Sequence, residues 1–359
     1  MKRPLTKHLN AIKKHFKYKK SINYCINMYR SFLLDEGQEY DDINDTVAKV
    51  TQVMTLTNQE YISDVRGQEA LIAKRLLMMV PANVHKKTSF DGLNLFQAIT
   101  MNKSLNEPVM APATARGKLQ ACSTFFKFLQ KMELTDINPF YGMKVKSGSA
   151  ESPNERFPLT EAQLTLLFNL GWFTSGKPKK NYHYWVPLLL RYTGARTNEI
   201  CQLRSENITS HNGVWCIHIT DQGEAQRVKT ANSVRVVPIS KELVRLGFID
   251  FANNLKGELF PELPSRKGRK SPIATKWSQY WLKKLGFGVG YNMHSLRHNF
   301  TTELKNAGIK ESMANELTGH SKGGFTYSTY AHGYPIETLV DCIDKIDTSF
   351  TQNVTPYKN

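Results

Sequence analysis

Between Lys146 and Arg156 the chain reads Ser-Gly-Ser-Ala-Glu-Ser-Pro-Asn-Glu. A stretch this polar, short of apolar anchors and carrying glycine and proline, gains too little from burial to sit in a core and serves as an exposed connector. It cuts the sequence in two. At 359 residues the chain is too long for one ordinary core, and each part is long enough to bury an apolar interior of its own. We expect a first domain over residues 1–148, a linker over 149–156, and a second domain over 157–359 with a C-terminal tail from about residue 333.

The first part carries apolar residues at helical spacing, with glycine and proline sparse until after Ser89, so it is expected to be helical. Residues 1–68 either form an extra segment or extend the bundle. The most apolar run, Leu71 to Val80, is far too short to cross a bilayer and reads as a buried helix. Asp41-Asp42-Ile43-Asn44-Asp45 reads as a solvated turn. From Thr114 to Leu129 a helix is expected, with Leu119, Cys122, Phe126 and Leu129 on one face and Arg116, Lys118 and Lys127 elsewhere. Those three cations make either a DNA-facing surface or an ordinary solvated face.

The second part mixes patterns. Thr160 with Gln163 forms a capping box and Leu159 can staple onto Leu164, so a helix starts there. An apolar helix around Tyr184–Tyr192 is interrupted by Pro187, and a Thr193-Gly194 turn leads to a second helix through Leu203. Val214–Ile219 and Ser233–Ile239 read as strands flanking the turn signal Asp221-Gln222-Gly223. A basic loop, Arg266-Lys267-Gly268-Arg269-Lys270, is either a phosphate contact or a solubilising loop. Ile336, Leu339, Val340 and Ile343 form a closing amphipathic stripe that docks on a neighbouring protomer or on its own domain. The fold class is mainly α with a small β-sheet, a helical first domain followed by an α+β second.

A formal net charge of +17 concentrates polyanions around the chain, which makes nucleic acid the leading partner and an anionic membrane surface the lesser one. The five cysteines are scattered without a CxxC pair, which argues against a zinc site or disulfide framework and fits a reducing cytoplasm. No apolar core of a signal peptide follows the basic N-terminus, and no membrane span is found.

Chemistry enters with separated short motifs: Thr193-Gly194-Ala195-Arg196-Thr197-Asn198-Glu199, His294-Ser295-Leu296-Arg297-His298, Gly319-His320-Ser321, and Tyr330. Two arginines, two histidines and a tyrosine are the parts needed to break a phosphodiester without a metal, because guanidinium forks hold non-bridging oxygens while a phenolate attacks phosphorus. Taken singly each has a plainer meaning, since an Arg-x-x-Glu pair is usually a helix salt bridge of small value.

Over residues 155–345 the sequence resembles the tyrosine recombinases, the phage-integrase group. The likeness rests on Arg196 with Glu199 after the Thr-Gly turn, Lys229 in the hairpin, His294-x-x-Arg297-His298, Leu317-Thr318-Gly319-His320-Ser321, and Tyr330-Ala331-His332. The Thr114–Leu129 helix followed by Asn138-Pro139-Phe140 resembles the end of that family's core-binding domain. The resemblance implies a site-specific recombinase or integrase, an enzyme cutting and rejoining double-stranded DNA through a 3′-phosphotyrosine link, with no metal and no cofactor. It implies Tyr330 as nucleophile, Arg196 and Arg297 as phosphate donors, Lys229 as general acid, His294 as base, and His320 as a further phosphate hydrogen bond. Glu199 would fix Arg196 or be a solvated carboxylate. Tyr327 rivals Tyr330, and Arg227 and Arg235 rival Lys229. The family's active assembly is a tetramer on paired DNA sites, sometimes with accessory DNA-bending or directionality proteins, placing the chain in the cytoplasm on DNA. Against this stand a type IB topoisomerase, a metal-dependent nuclease or transposase, and a DNA-binding protein without catalysis.

Overall fold

Helical spacing becomes helices in the computed structural model of the chain, which describes residues 19–146, 156–223, 226–228, 230, 233–320 and 333–358. Two units, each with its own apolar core, meet in the chain between Ser152 and Pro153.

The first unit contains α1 (Ile22–Asp35), α2 (Tyr40–Thr57), α3 (Gly67–Leu77), α4 (Leu95–Leu105) and α5 (Pro112–Lys131). Local chemistry sets their ends. Ser21 accepts from the Tyr24 amide to open α1, and Asn94 and Gln97 exchange capping-box bonds at α4. Proline at the first position of α5 loses no helical hydrogen bond. The α5 face expected to be apolar is buried, and Phe125 and Phe128 pack beside it against Tyr29 of α1 at centroid distances of 5.3 and 5.0 Å. Each such ring contributes about 1.5–3 kcal/mol by leaving water.

Two expectations for this unit are corrected. Asp41–Asp45 is not a turn but opens α2, where Asp41 and Asp42 favour the positive end of the helix dipole. Leu71–Val80 is not a buried helix: α3 is amphipathic, with Ala70, Ala73 and Leu77 inward while Leu71 and Ile72 are 41% and 42% exposed. Leu77 and Val80 of the run are also buried, whereas Leu71, Ile72 and Met79 fall on the outer face.

The second unit opens with α6 (Glu161–Phe168), whose Thr160–Gln163 capping box forms as expected. After α7 (Gly171–Ser175) comes α8 (Asn181–Thr193), which is continuous through Pro187. A proline inside a helix costs about 3 kcal/mol, but every residue of α8 from Tyr184 to Thr193 is buried and that packing holds the helix together. The short α9 (Thr197–Cys201) leads into an antiparallel sheet of β1 (Ile208–His211), β2 (Val214–Ile219) and β3 (Arg235–Pro238), in that order. Register places Ile219 opposite Arg235 and Ile217 opposite Val237. Then follow α10 (Lys241–Arg245), α11 (Phe248–Asn253), α12 (Ser271–Lys284), α13 (His294–Asn306), α14 (Glu311–Thr318) and α15 (Ile336–Ile343). Helix α15 buries Leu339, Cys342 and Ile343 in its own unit, against β3 and α14. The chain then runs back along the unit, where the Thr355, Tyr357 and Lys358 amides donate to the carbonyls of Phe173, Leu246 and Gly176. Among the described residues no helix is long and apolar enough to cross a membrane.

Candidate active site

Two Thr-Gly turns frame the site. At the end of α8 Thr193 turns its hydroxyl back to the Leu189 carbonyl (2.6 Å), and at the end of α14 Thr318 does the same to Ala314 (2.7 Å). Each is followed by a left-handed glycine, Gly194 at φ 61° and Gly319 at φ 65°. A Cβ on Gly194 would stand 2.3 Å from the Phe300 ring, and one on Gly319 would stand 2.7 Å from an Arg235 nitrogen, so backbone angle and space both demand glycine.

The arginines cross between these turns. Arg297, on α13, donates to the Gly194 carbonyl (2.5 Å) and the Thr318 carbonyl (2.7 Å). Arg196, just before α9, donates to the Gly319 carbonyl (3.1 Å), to Glu199 (2.7 Å) and to Ser233 (3.1 Å). Each guanidinium is thus braced by the turn of the other motif. Bonds to described residues engage three of the five N–H groups on each, which leaves donors of both forks for a ligand.

Glu199 is 3% exposed and serves two cations, since Arg235 also donates to it at 2.9 Å. Burial alone would raise its carboxyl, but Arg235 and Arg196 outweigh that and hold it below the usual range. It is therefore not a solvated helix carboxylate. By sequence Arg235 is a rival for the hairpin lysine. It is instead buried at the start of β3, donating to the Leu317 and Ser233 carbonyls at 2.7 and 2.8 Å, and it fixes Glu199 and the α14 turn. Its bracing role and that of Ser233 escape sequence reasoning; the one signal was an arginine set among the apolar residues of a strand.

Three guanidiniums thus surround one carboxylate, and the local charge is positive. Burial, followed by the charges of Arg196 and Arg235, presses Arg297 down to about 9, which still leaves it charged at neutral pH. The same field acts on the histidines. Burial first and Arg297 second lower His294 to about 4, and burial with Arg297 and Arg196 lowers His320. Both are neutral imidazoles at neutral pH. His320 Nε2 lies 2.8 Å from Arg297 and its Nδ1 lies 3.2 Å from the Thr318 hydroxyl. Because Arg297 can only donate and the Thr318 hydroxyl is already donated to Ala314, the network assigns the proton to Nδ1 and a lone pair to Nε2. The ring of His294 packs edge-on to His298 at 5.0 Å.

Arg196, His294, Arg297 and His320 are thus brought together, while Lys229, Tyr330 and Tyr327 lie outside the described residues. Of the DNA-contact candidates, Arg116 and Lys127 are exposed on α5, and Lys118 is half-buried and donates to Gln52 at 2.5 Å. Arg266 and Arg269 pair through their backbones in a tight hairpin whose tip exposes Lys267. Lys270 is not on the surface with them: it is 7% exposed and ion-paired with Glu258, because its backbone is drawn in to cap against Asn198. Among the described residues no group of three or more His, Cys, Asp or Glu is placed to hold a metal ion.

A positively charged pocket of braced guanidiniums and neutral imidazoles suits an anionic ligand such as a phosphate. Residues 159–336 match the model of the phage integrase family. A tyrosine recombinase of Pseudothermotoga lettingae is 23% identical over 307 residues, which span 85% of this chain and 96% of the relative. The fold is similar to that of the Tn1549 transposon integrase in complex with a circular intermediate DNA, with TM-score 0.55 and 18% identity over 88% of this chain and 98% of that one. It is also similar to a lambda integrase tetramer bound to a Holliday junction, with TM-score 0.53 and 13% identity over 94% of this chain and 85% of that one. The chain belongs to the phage integrase family, the tyrosine recombinases, enzymes that cleave and rejoin DNA.

Proposed function

We propose that this recombinase exchanges DNA strands at specific sites with Arg196, Arg297, His294, His320, Lys229 and Tyr330 as its catalytic residues. The observation that carries the reading is the crossed bracing of Arg196 and Arg297, which presents two forks in a pocket with more guanidinium than carboxylate. Charge grows on the non-bridging oxygens as a nucleophile attacks phosphorus, so donors fixed in advance stabilise the transition state more than the ground state. The Tyr330 phenol, with an ordinary pKa of about 10, gives its proton to the neutral His294 as its oxygen bonds to phosphorus. The bond from phosphorus to the 5′ oxygen breaks, and that oxygen takes a proton from Lys229 and leaves as a hydroxyl. The phosphotyrosine then stores the bond energy until an incoming 5′ hydroxyl reverses the steps. His320 needs a rotated Arg297 or a second proton before Nε2 can donate to phosphate.

Residues 1–148 supply a DNA-binding domain in this reading, joined by the 149–156 linker to the catalytic domain, with Arg116 and Lys127 on phosphates and Arg266, Lys267 and Arg269 as further contacts. The working assembly is a tetramer on two paired duplex sites, on which DNA-bending or directionality proteins act. The test is capture of protein–DNA adducts that survive denaturation, from a fragment library of genomic DNA in EDTA. Adducts are expected from the native chain and from Tyr327→Phe, and none from Tyr330→Phe. Loss in Tyr327→Phe alone would move the nucleophile, and failure of the native chain to form any adduct would favour a binding protein. Sequencing the captured DNA gives the site.

A further inference from the structure

Gln202, at the end of α9, does more than pack. It is 4% exposed, and its side-chain amide grips the backbone of Arg227 from both sides: the Arg227 amide donates to Oε1 at 3.1 Å, and Nε2 donates to the Arg227 carbonyl at 2.8 Å. Its own carbonyl accepts from the side chain of buried Gln226 at 3.0 Å, and Gln226 also donates to Asn207 at 2.8 Å. Asn198, one turn back on the same helix, donates to Gln202 Oε1 at 3.0 Å, and its own Oδ1 accepts from the Lys270 and Ser271 amides. Arg196 immediately precedes this helix. One turn and a half of chain therefore holds both a phosphate-binding arginine and the peptide of Arg227.

Lys229 follows Arg227 by two residues, a reach of at most about 7 Å of backbone. We infer that Gln202 is a positioning residue for the general acid: its two hydrogen bonds to the Arg227 backbone anchor the chain two residues before Lys229 to the helix that Arg196 opens. This rests on the role given to Lys229 above. A neutral amide suits the task, because it offers a donor and an acceptor at fixed separation and adds no charge to a pocket whose field is already set by three guanidiniums. Misplacement by about 1 Å is enough to cost about a hundredfold in a positioned proton transfer.

The chemistry supplies a readout that loss of stability does not imitate. A 5′ oxygen leaving from phosphorus needs a proton, whereas a sulfur in that bridging position leaves as a thiolate without one. The experiment compares single-turnover cleavage of the sequenced site, built with oxygen or with sulfur at the 5′ bridging position, by the native chain, Lys229→Ala, Gln202→Met and Arg297→Ala. Methionine keeps the volume and removes the bonds; Gln202→Glu, which keeps the acceptor and loses the donor, is the second variant. On the oxygen substrate we expect Lys229→Ala to be slowed about 10²–10⁴-fold and both Gln202 variants about 10–100-fold. On the sulfur substrate Lys229→Ala and the Gln202 variants should return to within about threefold of the native chain, and Arg297→Ala should stay slow. Rescue of Lys229→Ala without rescue of the Gln202 variants overturns the positioning role. Failure to rescue Lys229→Ala itself overturns its assignment as the acid, and the inference falls with it. Native rates of both Gln202 variants on oxygen also overturn it.

Discussion

Arg191 on α8 and Arg297 on α13 are both withdrawn from solvent, 0% and 2% exposed, and each joins the same two helices from opposite sides. Arg191 reaches from α8 to Glu303 of α13, at 2.8 and 2.9 Å from its two oxygens, and to the Asp347 carbonyl at 2.9 Å. Arg297 reaches from α13 to the turn after α8 and finds carbonyls and an imidazole. The first charge is cancelled by a carboxylate. The second is held only by dipoles, and its pocket-mates Arg196 and Arg235 share a single Glu199 between them. On the proposed function, the difference separates a cation built into the scaffold from one kept for an anionic ligand. Burial alone does not tell them apart; the charge of the partner does.

The largest effect should come from Arg297→Ala, which we expect to slow strand cleavage by about 10²–10³-fold, the scale of losing an oxyanion donor. Its stability should change little, because relief of a desolvated charge opposes the loss of donors for two carbonyls, terms of about 1–3 kcal/mol each. A urea midpoint that collapses along with the rate would erase the distinction. For Arg191→Ala the pattern should reverse. Leaving Glu303 without its partner should cost near the lower end of about 3–5 kcal/mol, since that carboxylate keeps some solvent, while cleavage per folded molecule holds. Replacing both partners, Arg191→Met with Glu303→Leu, should recover most of the loss by filling the same volume without charge. A double variant as unstable as the single one would mean that the pair contributes through something other than its charges.

The smallest effect concerns pH. His294 and His183, both lowered to about 4 chiefly by burial, refuse protons that the unfolded chain accepts below about 6.5. With folded pKa values below the unfolded one, stability is full above pH 6.5 and declines as pH falls from about 6.5 through 4. His294→Gln should flatten that decline in the melting temperature without removing it, because His183 remains. An unchanged slope would show that His294 is not held neutral by its surroundings.

What could be read in the sequence was what is local. The Thr-Gly turns, Arg196 with Glu199, and the His294–Arg297 spacing each lie within one turn of helix, so residue type and interval suffice. The Thr160 capping box and the buried face of α5 were legible for the same reason. What could not be read depends on distant segments meeting. Arg235 takes its meaning from the α14 turn and Gln202 from the hairpin, and neither neighbour is near in sequence. Lys270 looked like part of a basic surface because charge was counted without the backbone bond to Asn198 that draws it inward. In Leu71–Val80 apolar content alone does not show which side faces inward: spacing leaves Leu71 and Ile72 exposed and buries Ala73, Leu77 and Val80. The local cost of Pro187 is legible in sequence, but the enclosure of α8 that outweighs it is not.

The crossed bracing also bears on safety. Neither arginine is fully braced by its own side alone, because Arg297 lacks the Gly194 carbonyl until the first turn is in place and Arg196 lacks the Gly319 carbonyl until the second is. On the proposed function, the power to cut duplexes therefore depends on segments more than a hundred positions apart having closed on one another.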